Sequence, residues 1–208
     1  MSTRLNQLLR KPIDMKNRKA VHPNKVSVFA SNCNGACICH DLSMEFNSPF
    51  VNLWMTPSDF IKFLQTPKEY LTMSLEFMER DDVKYPVAKL GELTIWFEHY
   101  SSNCEAAEAW NRRCERICWD ELYIMMTDRD GCTYEDLLAF DALPYEHKIV
   151  FTHCPYPEIH SAFYIPGFED EQCVGICSEF KNWHTGEKWY DAFDYVAWFN
   201  GEKEYAQS

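Results

Sequence analysis

The chain has 208 residues and a mass of 24.6 kDa, with 46% hydrophobic, 15% aromatic and 25% charged residues and a formal net charge of −12. That length and apolar content suit a single domain with a sizeable core, and exclude a disordered chain or a Gly-rich linker protein. No stretch of about 18 residues is free of charge, so no membrane-crossing helix is expected.

Charge divides the chain in two. Residues 1–25 hold seven Lys and Arg (Arg4, Arg10, Lys11, Lys16, Arg18, Lys19, Lys25) against Asp14 alone, and the remainder holds 13 basic against 31 acidic side chains. An acidic body argues against nucleic acid as a partner, because phosphate neutralisation has the wrong sign there. The basic head interleaves Leu5, Leu8, Leu9 and Ile13. It reads as a helical segment that either touches an anionic membrane surface or packs on its own acidic domain, with Pro12 expected to interrupt it. It lacks the run of about 7–15 apolar residues of a secretory signal. A cytoplasmic protein, at most peripheral to the inner membrane, is expected. In that reducing compartment the ten cysteines are expected to be free thiols.

The main domain is expected over residues 26–201, followed by a polar tail, 202–208. Val26 to Ala30 reads as a buried strand that leaves into the polar loop Ser31-Asn32-Cys33-Asn34-Gly35. Phe50 to Met55 gives a second strand. Thr56-Pro57-Ser58-Asp59 then opens a helix, with Thr56 as cap, Pro57 at the first helical position and Asp59 at the positive end of the dipole. Thr66-Pro67-Lys68-Glu69 repeats the device and breaks the helix near Gln65. Leu93 to His99 is β-branched and aromatic, hence a strand, after a turn at Lys89-Leu90-Gly91. Asn103 to Cys118 follows as an amphipathic helix.

Leu122 to Met126 is the next strand. It runs into Thr127-Asp128-Arg129-Asp130-Gly131-Cys132, after which Thr133 with Asp136 starts another helix. Lys148 to Phe151 and Ala162 to Ile165 are strands, and Trp189 to Asn200 is a last helix stopped by Gly201. Strand and helix alternate at these lengths in a three-layer α/β domain, with a mostly parallel or mixed sheet and helices on both faces.

Such sheets bind ligands beyond the carboxyl ends of their strands. The side chains expected there are Ser31, Asn32, His99, Asp128, Asp130 and His153. Asp128 and Asp130 would share a divalent cation, magnesium or manganese suiting hard oxygen ligands, or else simply stand at a turn before a helix N-terminus. Ser31 and Asn32 offer polar groups to a ligand oxygen, and Cys33 is a nucleophile if a base stands near. His99 and His153 are candidate general bases, against the ordinary role of a hydrogen-bonded packing residue. Cys33, Cys37, Cys39 and His40 do not match the paired spacing of structural zinc sites.

Several motifs stand in one order: Asn47-Ser48-Pro49-Phe50-Val51-Asn52-Leu53, Lys89-Leu90-Gly91-Glu92-Leu93, Trp110-Asn111-Arg112-Arg113, Met126 to Asp136, and Phe193-Asp194-Tyr195-Val196-Ala197-Trp198. Together they resemble the bacterial domain-of-unknown-function family 1919, from about Val26 to Gly201. Members of that family often carry the label of exopolysaccharide biosynthesis protein. The resemblance implies a sugar-related role and draws Asn47, Ser48 and Arg129 into the ligand-binding set beside Ser31 and Asn32. Many relatives resemble Ser-Asn-x-Cys-x-Gly-Gly after the first strand. Here Cys33 comes one place early and Gly35-Ala36 replaces the glycine pair, which weakens Cys33 as a shared nucleophile.

Three functions follow as expectations. The first is a transferase acting on an activated sugar, with a sugar or sugar nucleotide as substrate. The second is a glycan-directed esterase or deacetylase using Ser31 or Cys33, and the third a non-catalytic glycan-binding or assembly protein.

Overall fold

A computed structural model describes residues 4–23 and 25–202. The tail expected over 202–208 lies outside the described residues save for Glu202. The first helix, α1, spans Arg4–Ala20 and runs through Pro12 without a break. Pro12 and Leu8 are both exposed, so the Leu8 carbonyl that loses its helical partner is left on the solvent side.

Four strands, β1 (Ser27–Ala30), β5 (Leu122–Thr127), β6 (Lys148–Thr152) and β7 (Ala162–Tyr164), form one sheet in the order β1-β5-β6-β7, with every neighbour parallel. Their residues alternate between two cores, as a period of two requires. Phe29, Ile124, Met126 and Val150 face one cluster, while Val28, Ala30, Tyr123, Met125, Ile149 and Phe151 face the other. Continuous burial along all four residues of β1 is the mark of a strand covered on both sides.

The first face is covered by α3 (Pro57–Gln65), α5 (Asn103–Cys114) and α6 (Tyr134–Asp141), with a second, antiparallel sheet of β2 (Glu76–Met78), β3 (Val87–Leu90) and β4 (Leu93–Trp96). The short α4, Pro67–Tyr70, follows α3 directly. The other face is covered by α2 (Asn34–Asp41) and the C-terminal segment, where Tyr190, Phe193, Tyr195, Trp198 and Phe199 are buried.

Caps read in the sequence form as hydrogen bonds. Thr56 Oγ1 accepts from the Asp59 amide at 3.3 Å. Thr133 and Asp136 close a reciprocal capping box at the start of α6. Other expectations differ in the structure. Phe50 to Met55 is buried coil with a single bridge, Trp54 to Trp96, because Asn52 takes a left-handed φ of +63° that no strand continues through. Leu93 to Trp96 joins the antiparallel sheet instead of the parallel one, paired with β3 across the two-residue loop Gly91-Glu92, where Gly91 has φ +60°. The final helix is split. A 3-10 turn over Trp189–Ala192 stops, and α7 (Tyr195–Phe199) restarts where Asp194 Oδ1 accepts from the Ala197 amide.

The basic head is seated on the domain by its polar side. Arg10 is buried and pairs with Asp14 (2.6 Å), Asp41 (2.8 Å) and Asp191, while Asn6 donates to the Asn182 and Thr185 carbonyls. Asn17 donates to the Tyr195 hydroxyl at 2.8 Å. A Cβ on Gly186 would come within 2.5 Å of the α1 backbone at Leu9 and Arg10, so only a glycine allows this approach.

Candidate functional site

After β1 the chain turns to one face of the sheet as α2, and after the adjacent β5 it turns to the opposite face as α6. The two connections part and leave a crevice beyond the carboxyl ends of neighbouring strands, the place where α/β sheets bind ligands. Asn32 bridges it, donating from Nδ2 to Thr127 Oγ1 at 2.8 Å, while its Oδ1 accepts from the Asn34 amide and starts α2. The segment expected to continue as a loop past Asn34 is therefore helical. Gly35 packs it hard against β1, since a Cβ there would lie 2.8 Å from both Ala30 and Val28.

Asp128 follows β5 directly, and His153 follows β6. Asp128 Oδ2 accepts from the His153 amide at 2.8 Å and lies 2.5 Å from His153 Nδ1, and Oδ1 accepts from the Val174 amide at 2.8 Å. The acid is buried and the imidazole side chain is 18% exposed. A carboxylate is an acceptor only, so this contact places the ring proton on Nδ1 and leaves the Nε2 lone pair directed away from the acid. Among the described residues Nε2 has no hydrogen-bond partner. Oriented carboxylate and imidazole in this relation make a general base.

Arg129 is half-buried and forms no ion pair among the described residues. It lines an open groove of about 490 Å³ with the loop Phe168 to Ile176, the loop that supplies the Val174 amide. An unpaired guanidinium in a groove suits a phosphate or carboxylate. Asp130 stands exposed at the rim with φ +60°, next to Gly131 at +84°. Crowding by the surrounding protein raises its pKa, Arg129 opposes that shift, and the charge of Glu98 adds to it.

Of the residues singled out in the sequence, Ser31, Asn32, Asp128, Arg129, Asp130 and His153 all stand just past the carboxyl ends of β1, β5 and β6, with Ser31 buried there and Asp128 and His153 in direct contact. The others lie elsewhere. Asn47 and Ser48 line the outer edge of β1, where the Asn47 carbonyl accepts from Ser27 Oγ at the strand's amino end and Ser48 Oγ accepts from the Phe50 amide. His99 belongs to the antiparallel layer and is exposed. Its amide reaches the Asn52 carbonyl at 3.4 Å, and among the described residues nothing ties its ring to either aspartate.

The shared cation does not fit. Both Asp128 oxygens are taken by N–H donors, and no group of three metal-binding side chains forms among the described residues. Cys33 is a poor nucleophile. Burial, then the neighbouring Cys37 and Glu98, push its thiol up to about 12. The width of β5 separates the β1 and β6 ends by about 10 Å, so His153 does not reach Ser31 or Cys33 directly. All ten cysteines are free. The residue that sequence reasoning missed is Val174, which contributes a backbone amide while its side chain is sealed in the second core.

The profile of the family described as Domain of unknown function (DUF1919) matches residues 4–200, so α1 lies within the family's shared region. An uncharacterized protein of Haemophilus influenzae (strain Rd) is 51% identical over 175 residues, 84% of each chain. Two motif-bearing strand ends, a continuous family match and a close relative converge on one statement: the chain belongs to the DUF1919 family.

Proposed function

We propose that this protein is a transferase acting on an activated, phosphate-bearing sugar in surface-polysaccharide assembly. The observation that carries the reading is the buried Asp128 bonded to His153 Nδ1 with Nε2 left free, beside the unpaired Arg129. In this scheme Nε2 takes the proton of an acceptor hydroxyl as its oxygen attacks the anomeric carbon. The bond from that carbon to the phosphate oxygen breaks, and Arg129 neutralises the charge that develops on the leaving group. Asn32 and Asp130 stand at the same end of the sheet, where sugar hydroxyls would lie, while Ser31 is buried. The hydrolase reading through Ser31 or Cys33 has no histidine hydrogen-bonded to either side chain among the described residues.

A panel of nucleotide sugars screened by thermal shift tests the proposal, because a ligand that binds the native state raises its apparent stability. A donor that shifts the wild type is expected to shift His153→Gln equally, while turnover with an acceptor falls by about 10²–10⁴. Arg129→Ala is expected to lose the shift itself. A panel without any shift or turnover would leave a binding or assembly role in its place, and turnover to free sugar without an acceptor would make the enzyme a hydrolase.

A further inference from the structure

Helix α1 is amphipathic the wrong way round for a helix packed on a domain. Its buried positions are Asn6 and Arg10, with Ile13, Asp14 and Asn17 half-buried beside them, all recurring at helical spacing on one side. On the other side Leu5, Leu8, Leu9, Pro12 and Met15 recur at spacings of three and four, and all are exposed. Leu8 is 60% and Met15 57% exposed, and this helix supplies four of the ten large hydrophobic side chains exposed among the described residues. Its polar side is consumed by fixed partners, the ion pairs of Arg10 and the carbonyl contacts of Asn6. Rolling the helix over to bury its leucines would break all of them.

Charge says what the outward face meets. Arg4, Lys11, Lys16, Arg18 and Lys19 are all exposed along and beside the leucine stripe, on a molecule whose residues beyond 25 carry 13 basic against 31 acidic side chains. A second copy of so acidic a body would be repelled except through this one strip, whereas a negatively charged, extended apolar interface matches both its features. The loop that receives Asn6 also carries Trp183, 69% exposed, the side chain type favoured at bilayer headgroups. No described helix is long and apolar enough to cross a membrane.

We infer that the outer face of α1 is a docking surface for an anionic phospholipid bilayer. The helix lies in the headgroup plane with Leu5, Leu8, Leu9 and Met15 in the acyl boundary and the lysines on lipid phosphates. Arg10 and Asn6 hold the acidic domain beneath it. The inference is independent of the role of His153.

Co-sedimentation of the full chain with phosphatidylcholine vesicles, with and without phosphatidylglycerol at about a third of the lipid, tests it. Binding is expected to the anionic vesicles only, to fall at high salt, and to drop by about tenfold or more in the triple variant Lys11→Glu, Lys16→Glu, Lys19→Glu. Leu5→Gln with Leu8→Gln should lose binding while keeping the wild-type melting temperature, since both side chains point to solvent and glutamine is a good helix former. No binding, or equal binding to both vesicle types, overturns the inference. So does concentration-dependent dimerisation abolished by the leucine variants, which would assign the stripe to a second copy.

Discussion

Asp130 shows how the site is held at the scale of one residue. It is a non-glycine residue in left-handed backbone, and enclosure by the surrounding protein, with a smaller push from the charge of Glu98, makes its carboxyl harder to ionise than usual. A raised carboxyl pKa means that at neutral pH the charge opposes folding, an opposition that disappears once the group is protonated. Asn tolerates the same backbone, so Asp130→Asn is expected to raise the melting temperature at pH 7 and to lose that advantage as pH falls through the carboxyl range. A lower melting temperature at pH 7 would mean that the charge is used structurally. Ser31, Asn32, Asp128, Arg129 and His153 were legible in the sequence because each stands just past an apolar run. Glu98 was not, since it sits at the end of a strand from the other sheet and reaches Asp130 only through the tertiary fold.

Among elements, those with local instructions were legible and those without were not. Helix α6 is specified at its first turn, where Thr133 Oγ1 accepts from the Asp136 amide at 3.1 Å and Asp136 Oδ2 accepts from the Thr133 amide at 3.0 Å. Thr133→Ala is expected to cost about 0.5–2 kcal/mol, read as a lower denaturation midpoint with an unchanged slope. Because α6 leads out of the Asp128 loop, a loss beyond that range would show the cap to be supporting the crevice as well. The hairpin of β3 and β4 carried a signal in two apolar runs around Gly91-Glu92, but the first run is only four residues, too short for periodicity to register. Phe50 to Met55 misled for the converse reason. Phe50, Val51, Leu53 and Met55 are buried, as hydrophobicity implies, yet in coil whose hydrogen bonds go to Trp96 and Ser31.

In the whole molecule, one buried carboxylate joins three distant parts of the chain. Asp41, at the end of α2, takes Arg10 of α1 at 2.8 Å, Lys188 at 2.8 Å and the Tyr190 hydroxyl. Burial raises the Asp41 pKa, but the hydrogen bonds of Lys188 and Tyr190 and the two cationic charges overcome it, leaving the carboxyl below its usual value. Its contribution is therefore complete above the unfolded carboxylate range, about pH 4, and is lost as pH falls through the lower folded value. Acid unfolding followed by circular dichroism is expected to show this loss, and Asp41→Asn to remove part of the pH dependence while costing about 3 kcal/mol at neutral pH, since Lys188 loses its carboxylate whereas Arg10 keeps Asp14 and Asp191. A variant as stable as the wild type would show that the cluster contributes no net stability. None of this long-range pairing was visible along the chain. Nor was the strand order, because which β-strands become neighbours depends on which connections pack over which face.

The clasp on Asp128 by the Val174 amide divides labour within the groove. What aligns the acid is peptide backbone, anchored by a Val174 side chain sealed in the core, while the exposed side chains of Glu171 and Gln172 in the same loop border the space beside Arg129. Descendants of this fold can thus alter the exposed side chains around the groove without disturbing the contact that orients Asp128.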